Sequence, residues 1–219
     1  LSNIIFWAAS HNFYARWAGV PPVPSRTGAV MMALGDEELA FRLGALTLQH
    51  LGNSGGRMAS LIDYDYQAVG RWLDLLDSLD PASDHVPTIA AYYFGAIDAS
   101  SEARKKKIGM IVDFLVKIGQ RPVGDKWRFL ADAAFLARHR MQDLNLALDI
   151  AYTLSKMQLT SGRDLPSWAR EMPAFILKAQ GEKDAAKQMV INTLNSEKYL
   201  PPQEINFLKS CPEPPGRSF

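Results

Sequence analysis

Apolar residues recur every three or four positions along most of this chain, a spacing that places them on one face of an α-helix. No segment shows the strict apolar–polar alternation of a half-buried strand. The pattern therefore predicts an all-α fold. The periodic residues are Leu39, Leu43 and Leu46; Val69, Trp72, Leu73, Leu76 and Leu79; Ile108, Ile111, Val112, Leu115 and Ile118; Trp127, Leu130, Ala131, Ala134 and Phe135; Leu144, Ala147, Leu148, Ala151 and Leu154; Trp168, Met172, Phe175, Ile176 and Ala179; and Met189, Val190 and Leu194.

Capping residues and glycines divide these segments into helices of about 12 to 18 residues. Asp36, Ser101 and Asp125 stand near helix starts, while Gly119 and Gly181 follow helix ends. Helices of this length joined by short turns form antiparallel pairs. The predicted pairs are 36–52 with 63–79, 86–98 with 102–119, 126–140 with 143–158, and 166–180 with 183–196.

Prolines separate the hairpins from both ends of the chain. Three of them lie between positions 21 and 24, where they exclude a helix interior and favour a stiff extended connector. We predict an N-terminal helix and Pro-rich connector over 1–25 and a helical-repeat domain over 26–200. A short C-terminal helix and a Pro-rich tail are predicted over 201–219.

The segment DLNLALDIAYTLSKM resembles the second helix of a tetratricopeptide hairpin, with small Ala147 and Ala151 where neighbouring helices approach closely. The segment LDLLDSLDP resembles the end of that repeat, where a Leu-rich helix closes on Pro81. KWRFLA, which contains Trp127, is similar to the first-helix pattern. The resemblance covers 36–197 and implies a tetratricopeptide-like α-solenoid whose concave groove binds another protein or a peptide.

The chain opens with LSNIIFWAAS, which is too short and too polar to span about 30 Å of hydrocarbon. HNFYARW follows, and its aromatic and arginine residues are favoured at membrane interfaces. Two interpretations stay open: the end of a truncated membrane anchor, and an amphipathic first helix packed on its own domain. Since the first residue is Leu rather than Met, we expect attachment through the N-terminus on the periplasmic side of a bacterial inner membrane. A cytoplasmic location is the alternative.

The charge balance gives no sign of a nucleic-acid partner. Lys and Arg total 24 against 23 Asp and Glu, so the net charge is +1 and no overall field recruits a polyanion. The sharpest local feature is EARKKK, whose cations from Arg104 to Lys107 oppose the dipole of a helix start. We interpret it as a solvated helix start in which something compensates the charge. A patch for anionic lipid or nucleic acid is the alternative.

The glycines of LGNSGGRM raise the question of a phosphate-binding loop. A Walker-type loop needs a preceding strand and a Gly-x4-Gly-Lys-Ser/Thr pattern. Here a helix precedes the glycines, Gly52 and Gly56 are one residue too close, and Arg57 replaces the lysine. We therefore predict a chain reversal, with Gly52 in the left-handed conformation after a helix end. Anion capture by Arg57 is the alternative.

The remaining sequence signals for a metal or catalytic site are weak. Asp63 and Asp65 match positions 1 and 3 of a calcium loop, but Ala68 stands where its glycine is required. One of these aspartates is predicted to cap a helix that begins near Tyr66. The histidines stand singly, and Cys211 is the single cysteine. No metal, no cofactor and no catalytic residue are predicted.

The aromatic run PTIAAYYFGAI is the candidate binding surface. Tyr92 and Tyr93 are about 100° apart on a helix, so they need not be buried equally. Arg128 and Arg138 lie on the type of helix that lines the groove in tetratricopeptide-like folds. These four residues are the predicted partner-binding residues of a non-enzymatic scaffold or assembly factor. The alternative is a helical enzyme whose active site is dispersed along the sequence.

Overall fold

The computed structural model describes residues 2–10, 19–54, 57–160 and 164–196, and over these ranges the fold is all-α, as predicted. A π-helical turn, Leu136–Arg140, continues α7, and 3-10 turns span Leu61–Asp63 and Phe94–Ala96. The helices are α1 (Ser2–Ser10), α2 (Arg26–Met32), α3 (Glu37–Gln49), α4 (Tyr66–Leu79), α5 (His85–Tyr92), α6 (Glu102–Gly119), α7 (Arg128–Phe135), α8 (Leu144–Ser155), α9 (Ser167–Arg170), α10 (Met172–Gln180) and α11 (Lys183–Ser196).

Side-chain caps start several helices where the sequence indicated, among them Asp36 and Ser101, but Asp125 does not cap α7. The Asp36 carboxylate accepts a hydrogen bond from Leu39 N at 3.1 Å. Asp65, rather than Asp63, caps α4 by accepting from two backbone N–H groups of its first turn. Asp143 caps α8 in the same way, a cap that was not predicted. Each bond satisfies a donor that the first helical turn leaves open.

The chain forms two compact units, Leu1–Ile89 and Ala90–Phe219, here called unit 1 and unit 2. In unit 1, α2 and α3 pack on α4, whose inward residues Val69, Leu73 and Leu76 are fully buried. The Pro-rich connector is held to this core, because Trp72 Nε1 donates a hydrogen bond to Pro21 O at 2.9 Å.

The face that α3 buries differs from the one marked by its leucines. Leu39, Leu43 and Leu46 are exposed, and α3 instead buries Ala40, Phe41, Gly44, Ala45 and Leu48. At Gly44, a Cβ would lie 2.6 Å from Leu76 Cδ2, so any larger residue would require the Leu76 side chain to move. The period of the leucines correctly predicted a helix, but their apolar character did not identify the buried side.

The glycine-rich segment is a chain reversal, as predicted. Gly52 adopts φ +74°, in the left-handed region. Two strands of two residues each follow it, β1 (Asn53–Ser54) and β2 (Arg57–Met58), and they pair antiparallel. Among the described residues this two-stranded ladder is the one β feature. It forms because the chain reversal brings the residues on its two sides within hydrogen-bonding distance of each other.

In unit 2, consecutive helices pack against one another: α6 on α7, α7 on α8, α8 on α10, and α10 on α11. Fully buried aliphatic side chains fill the core between them, among them Ile108, Leu115, Leu130 and Leu154. The predicted helix 166–180 is divided into α9 and α10, and Pro173 lies in the first turn of α10, where a missing N–H costs nothing.

Part of the expected N-terminal and C-terminal structure lies outside the described residues. Residues 11–18 and the predicted helix and tail at 201–219 belong to this part. α1 is described, and the large apolar side chains Ile4, Phe6 and Trp7 are exposed on it. No helix within the described ranges is long and apolar enough to cross a membrane. The inner-membrane location stays a prediction.

Candidate binding groove

Three adjoining clefts cross one surface of unit 2, with volumes of about 90, 610 and 1020 Å³. The first and second share Arg140, and the second and third share Glu102, Lys105 and Gln142. They therefore adjoin one another, and we call the three together the unit 2 groove. Its walls come from the end of α5, the first half of α6, the α7–π segment and the start of α8.

Two exposed aromatic side chains mark the first end of the groove. Tyr92 is 70% exposed and Phe135 is 56% exposed, and both line the smallest cleft. Tyr93 instead turns inward and packs edge-to-face on Phe94, with ring centroids 5.1 Å apart. The two adjacent tyrosines are thus buried unequally. A large aromatic ring left open to solvent at a cleft is typical of a contact surface.

Tyr92 also makes the most specific polar contact of the groove. Its hydroxyl donates a hydrogen bond to Asp132 Oδ1 at 3.2 Å. Burial raises the pKa of the Asp132 carboxyl, and the Tyr92 hydrogen bond opposes that shift. The Asp132 charge, in turn, raises the pKa of the Tyr92 hydroxyl. The groove thus holds a carboxylate whose ionised form is disfavoured by its surroundings.

The π-helical turn carries His139 and Arg140 into the groove. Its i to i+5 hydrogen bond is visible in the 3.0 Å contact from Met141 N to Leu136 O. The His139 ring packs on Phe135 with a centroid distance of 4.6 Å. Desolvation lowers the pKa of His139, and the positive charge of Arg138 lowers it further. His139 is therefore mainly neutral near pH 7, and its ring extends the aromatic surface.

The centre of the groove is basic but partly neutralised. Arg104 forms an ion pair with Asp98 and donates a hydrogen bond to Ser100 Oγ, and Lys105 Nζ lies 3.0 Å from Glu102 Oε1. These acidic partners supply the compensation expected for EARKKK. Lys106 and Arg140 are both exposed and form no ion pair with any described residue. Two cations thus remain for a ligand.

The far end of the groove is polar, and its backbone is strained. Gln180 Nε2 donates a hydrogen bond to Asn145 Oδ1 at 3.1 Å and links α10 to the start of α8. Gln142 adopts φ +58°, which costs a residue with a side chain about 1–2 kcal/mol relative to glycine. Such strain is more common at functional sites than elsewhere.

The predicted residues are placed unequally by the structure. Tyr92 lines the groove, whereas Tyr93, Arg128 and Arg138 do not line its clefts. Arg128 Nη2 lies 3.3 Å from Asp125 Oδ2, and its guanidinium stands 5.7 Å from the Trp127 ring centroid. Sequence reasoning missed Asp132, Phe135 and Arg140. The three-residue spacing of Asp132 and Phe135, which places both on one helix face, was the available signal for these two residues, and nothing in the sequence indicated Arg140.

Replacing Asp132 with asparagine is expected to stabilise the protein near pH 7. Asparagine keeps the acceptor for Tyr92 and removes the charge that burial disfavours. Because the folded pKa of Asp132 is raised above 3.8, the wild type loses stability as pH rises through the folded pKa, and the variant does not. Urea unfolding at pH 7 and pH 3 measures the difference in the free energy of unfolding between the variant and the wild type, and this difference should vanish at pH 3.

The matched control is Asp149→Asn, which removes an exposed carboxylate from α8. It should change the free energy of unfolding by less than about 0.5 kcal/mol. An Asp132→Asn variant less stable than wild type at pH 7 would contradict the assigned environment.

No family profile, curated protein sequence or solved structure matches this chain. Within the described ranges, no group of three or more His, Cys, Asp or Glu side chains is placed to hold a metal ion.

Proposed function

We propose that this protein is a non-enzymatic binding scaffold whose unit 2 groove holds an extended segment of another protein. The observation that carries the proposal is that the three clefts adjoin and share lining side chains, with exposed Tyr92 and Phe135 at one end. Arg140 and Lys106, which form no ion pair with a described residue, line the clefts as well. An extended peptide can lie across adjoining shallow clefts, whereas a compact small molecule cannot fill their length.

The side chains of the groove suit a peptide of mixed character. Tyrosine, arginine and other aromatic residues contribute most of the binding energy at protein interfaces. In this groove an apolar side chain of the ligand fits the cleft between Tyr92 and Phe135. An acidic side chain of the ligand pairs with Arg140 or Lys106. We further propose that the helical pairs of unit 2 are related to tetratricopeptide-like hairpins, in which a peptide lies along exposed helix faces.

A helical enzyme is the second candidate, and one observation favours it. The pKa values of Tyr92, Asp132 and His139 are all shifted, and such shifts are typical of active sites. The cleft that contains the Tyr92–Asp132 pair has a volume of only about 90 Å³, however, whereas ligand pockets usually have about 300–1,000 Å³. His139 lines the neighbouring cleft instead, so the three shifted groups do not converge on one pocket, and the scaffold is preferred.

Peptide selection tests the proposal even though the partner is unidentified. Peptides from a random displayed library are enriched on the intact chain, and their affinities are then measured by fluorescence anisotropy. Tyr92→Ala and Arg140→Ala should each weaken binding about tenfold or more, which corresponds to about 1.4 kcal/mol. Arg128→Ala should weaken binding less, because the Arg128 side chain already contacts Asp125 and Trp127.

The control is Arg71→Ala, an exposed position on α4 in unit 1, which should leave the affinity unchanged. The proposal fails if no peptide is enriched, or if Tyr92→Ala and Arg140→Ala bind as tightly as the wild type. Saturable binding of a small metabolite that depends on Asp132 would favour the enzyme instead.

A further inference from the structure

The chain itself contains a segment whose chemistry matches the unit 2 groove. Positions 211–219 read CPEPPGRSF, in which Glu213 stands between Pro212 and Pro214, and Pro215 follows. We call residues 212–215 the PEPP segment, and it lies outside the described residues. Prolines restrict a backbone to extended conformations, and Pro-rich segments commonly bind in grooves lined by aromatic rings. A ligand of this class is therefore already attached to unit 2.

The first cleft of the groove has side chains that suit a proline. Tyr92 on α5 and Phe135 on α7 are both exposed, and both line this cleft of about 90 Å³. Proline is compact and loses almost no side-chain entropy when it is buried, so its ring can fill a small cleft between two aromatic side chains at little cost. The size and the lining of the cleft thus favour proline over a longer apolar side chain.

The charges of the tail can be accommodated along the groove. Arg140 lines both the first and the second cleft and forms no ion pair with a described residue. A proline in the first cleft places the Glu213 carboxylate beside this cation as the chain continues toward the second cleft. Arg217 comes four residues later, about 12 Å along an extended chain. It would reach the third cleft, where exposed Asp113 offsets the charge of Lys106.

The tail is attached within reach of the groove. The last described residue is Ser196, at the end of α11, and α11 packs on α10, whose Gln180 lines the third cleft. Residues 197–211 connect Ser196 to the PEPP segment. A chain of that length spans about 50 Å when extended and about 22 Å when helical. Since a compact unit of about 100 residues has a radius of gyration near 13 Å, the connection is long enough.

The other Pro-rich segment of the chain is a poorer match. The connector at 21–24 contains no acidic residue. It is also held to unit 1, because Trp72 Nε1 donates a hydrogen bond to Pro21 O. The PEPP segment is therefore the better candidate for the groove.

We propose that the PEPP segment binds in the unit 2 groove of its own chain, with a proline between Tyr92 and Phe135 and with Glu213 beside Arg140. This contact rests on the proposed peptide-binding role of the groove. It names the ligand class, a Pro-rich segment with an acidic residue, and it requires a partner protein to displace the tail. Because the tail is tethered, its local concentration is of millimolar order, so even a weak contact is populated.

A disulfide tests the contact in the intact chain, because Cys211 is the single cysteine and directly precedes the PEPP segment. Ala96→Cys adds a thiol at an exposed position that lines the first cleft. In a glutathione redox buffer, the effective concentration for the intramolecular disulfide should be at least about tenfold higher for Ala96→Cys than for Asp149→Cys. Asp149 is the matched control, an exposed position of α8 that does not line the clefts.

Four substitutions in the tail should remove this preference. They are Pro212→Ser, Glu213→Lys, Pro214→Ser and Pro215→Ser, introduced together with Ala96→Cys, and none of them alters a described helix. Without Ala96→Cys, the same four substitutions should strengthen the binding of a library-selected peptide about threefold or more, as measured by fluorescence anisotropy, because the tail no longer occupies the groove.

The outcomes separate this contact from the proposed function. Equal effective concentrations for Ala96→Cys and Asp149→Cys, or equal peptide affinities with and without the tail substitutions, would overturn the contact. Peptide binding would then persist, and the groove would serve another protein alone. If no peptide binds either chain but the disulfide preference holds and disappears with the tail substitutions, the proposed scaffold function fails and the tail contact stands.

Discussion

Replacing Gly119 with alanine is expected to destabilise unit 2 by roughly 3 kcal/mol, at the upper end of the cost of overpacking. The added Cβ would lie 2.6 Å from the backbone N of Leu130 and 3.2 Å from the backbone C of Phe129. A backbone atom cannot rotate away as a side chain does, so α6 and the start of α7 must move apart. That movement would also disturb the hydrogen bond from Leu130 N to Trp127 O.

Gly109→Ala is the matched control, because it lies in the same helix, α6. The nearest atom to a Cβ there is Met141 Cε at 3.7 Å, an ordinary contact. Alanine is a better helix former than glycine, so this variant should gain about 0.5–1 kcal/mol. Guanidinium unfolding gives the free energies, and hydrogen exchange locates the loss in α6 and α7. If the two variants shift stability in the same direction, the close approach at Gly119 is not a constraint.

Replacing Gly52 with alanine is expected to destabilise unit 1 by about 3 kcal/mol or more, because two costs add there. The residue adopts φ +74°, and its Cβ would lie 1.9 Å from Tyr64 Oη. Tyr64 is buried and donates a hydrogen bond to Leu51 O at 2.8 Å. Its ring cannot withdraw without losing that bond. The chain reversal therefore depends on the absence of a side chain at position 52.

Gly35→Ala separates the two costs. Gly35 has φ +89°, and a Cβ added there would have no atom within 4 Å, so alanine should cost only about 1–2 kcal/mol. Tyr64→Phe removes the hydroxyl that the added methyl group at position 52 would meet. Tyr64→Phe should therefore lower the stability of the Gly52→Ala variant by less than it lowers the stability of the wild type. Thermal unfolding of the wild type, of Gly52→Ala, of Tyr64→Phe and of the double variant completes this double-mutant cycle. Additive losses would show that the clash with Tyr64 is unimportant.

Local sequence predicted the helices because their signals are local. A cap such as Asp36 or Asp65 bonds to backbone only two or three residues away, and the apolar period needs no knowledge of the partner helix. The orientation of α3 was not predictable in this way. The face with Phe41 and Leu48 and the face with the three exposed leucines are both apolar, and the choice between them depends on α4, which is far along the chain. The short helix α2 was missed beside a Pro-rich connector.

The candidate groove could be predicted only in part. Tyr92 was found because an aromatic pair is visible in the sequence. Asp132 and Arg140 were missed, because their positions in the groove arise from the packing of α5, α6 and α7 and from a π turn. A π turn depends on tertiary packing as much as on composition, so no residue pattern indicated it. Tyr92 and Asp132 are 40 positions apart in the sequence, so no local pattern indicated their hydrogen bond either.

The π turn at Leu136–Arg140 also determines how much sequence the wall of the groove can take up. A π turn closes its hydrogen bond one residue later than an α-helical turn does, and such turns are frequent at functional sites. Because a π turn takes up one more residue than an α-helical turn, a chain shorter by one residue here could continue as α-helix with the residues after it facing in about the same direction. The loss of one residue is therefore expected to change which side chains line the unit 2 groove while the order of the helices stays the same.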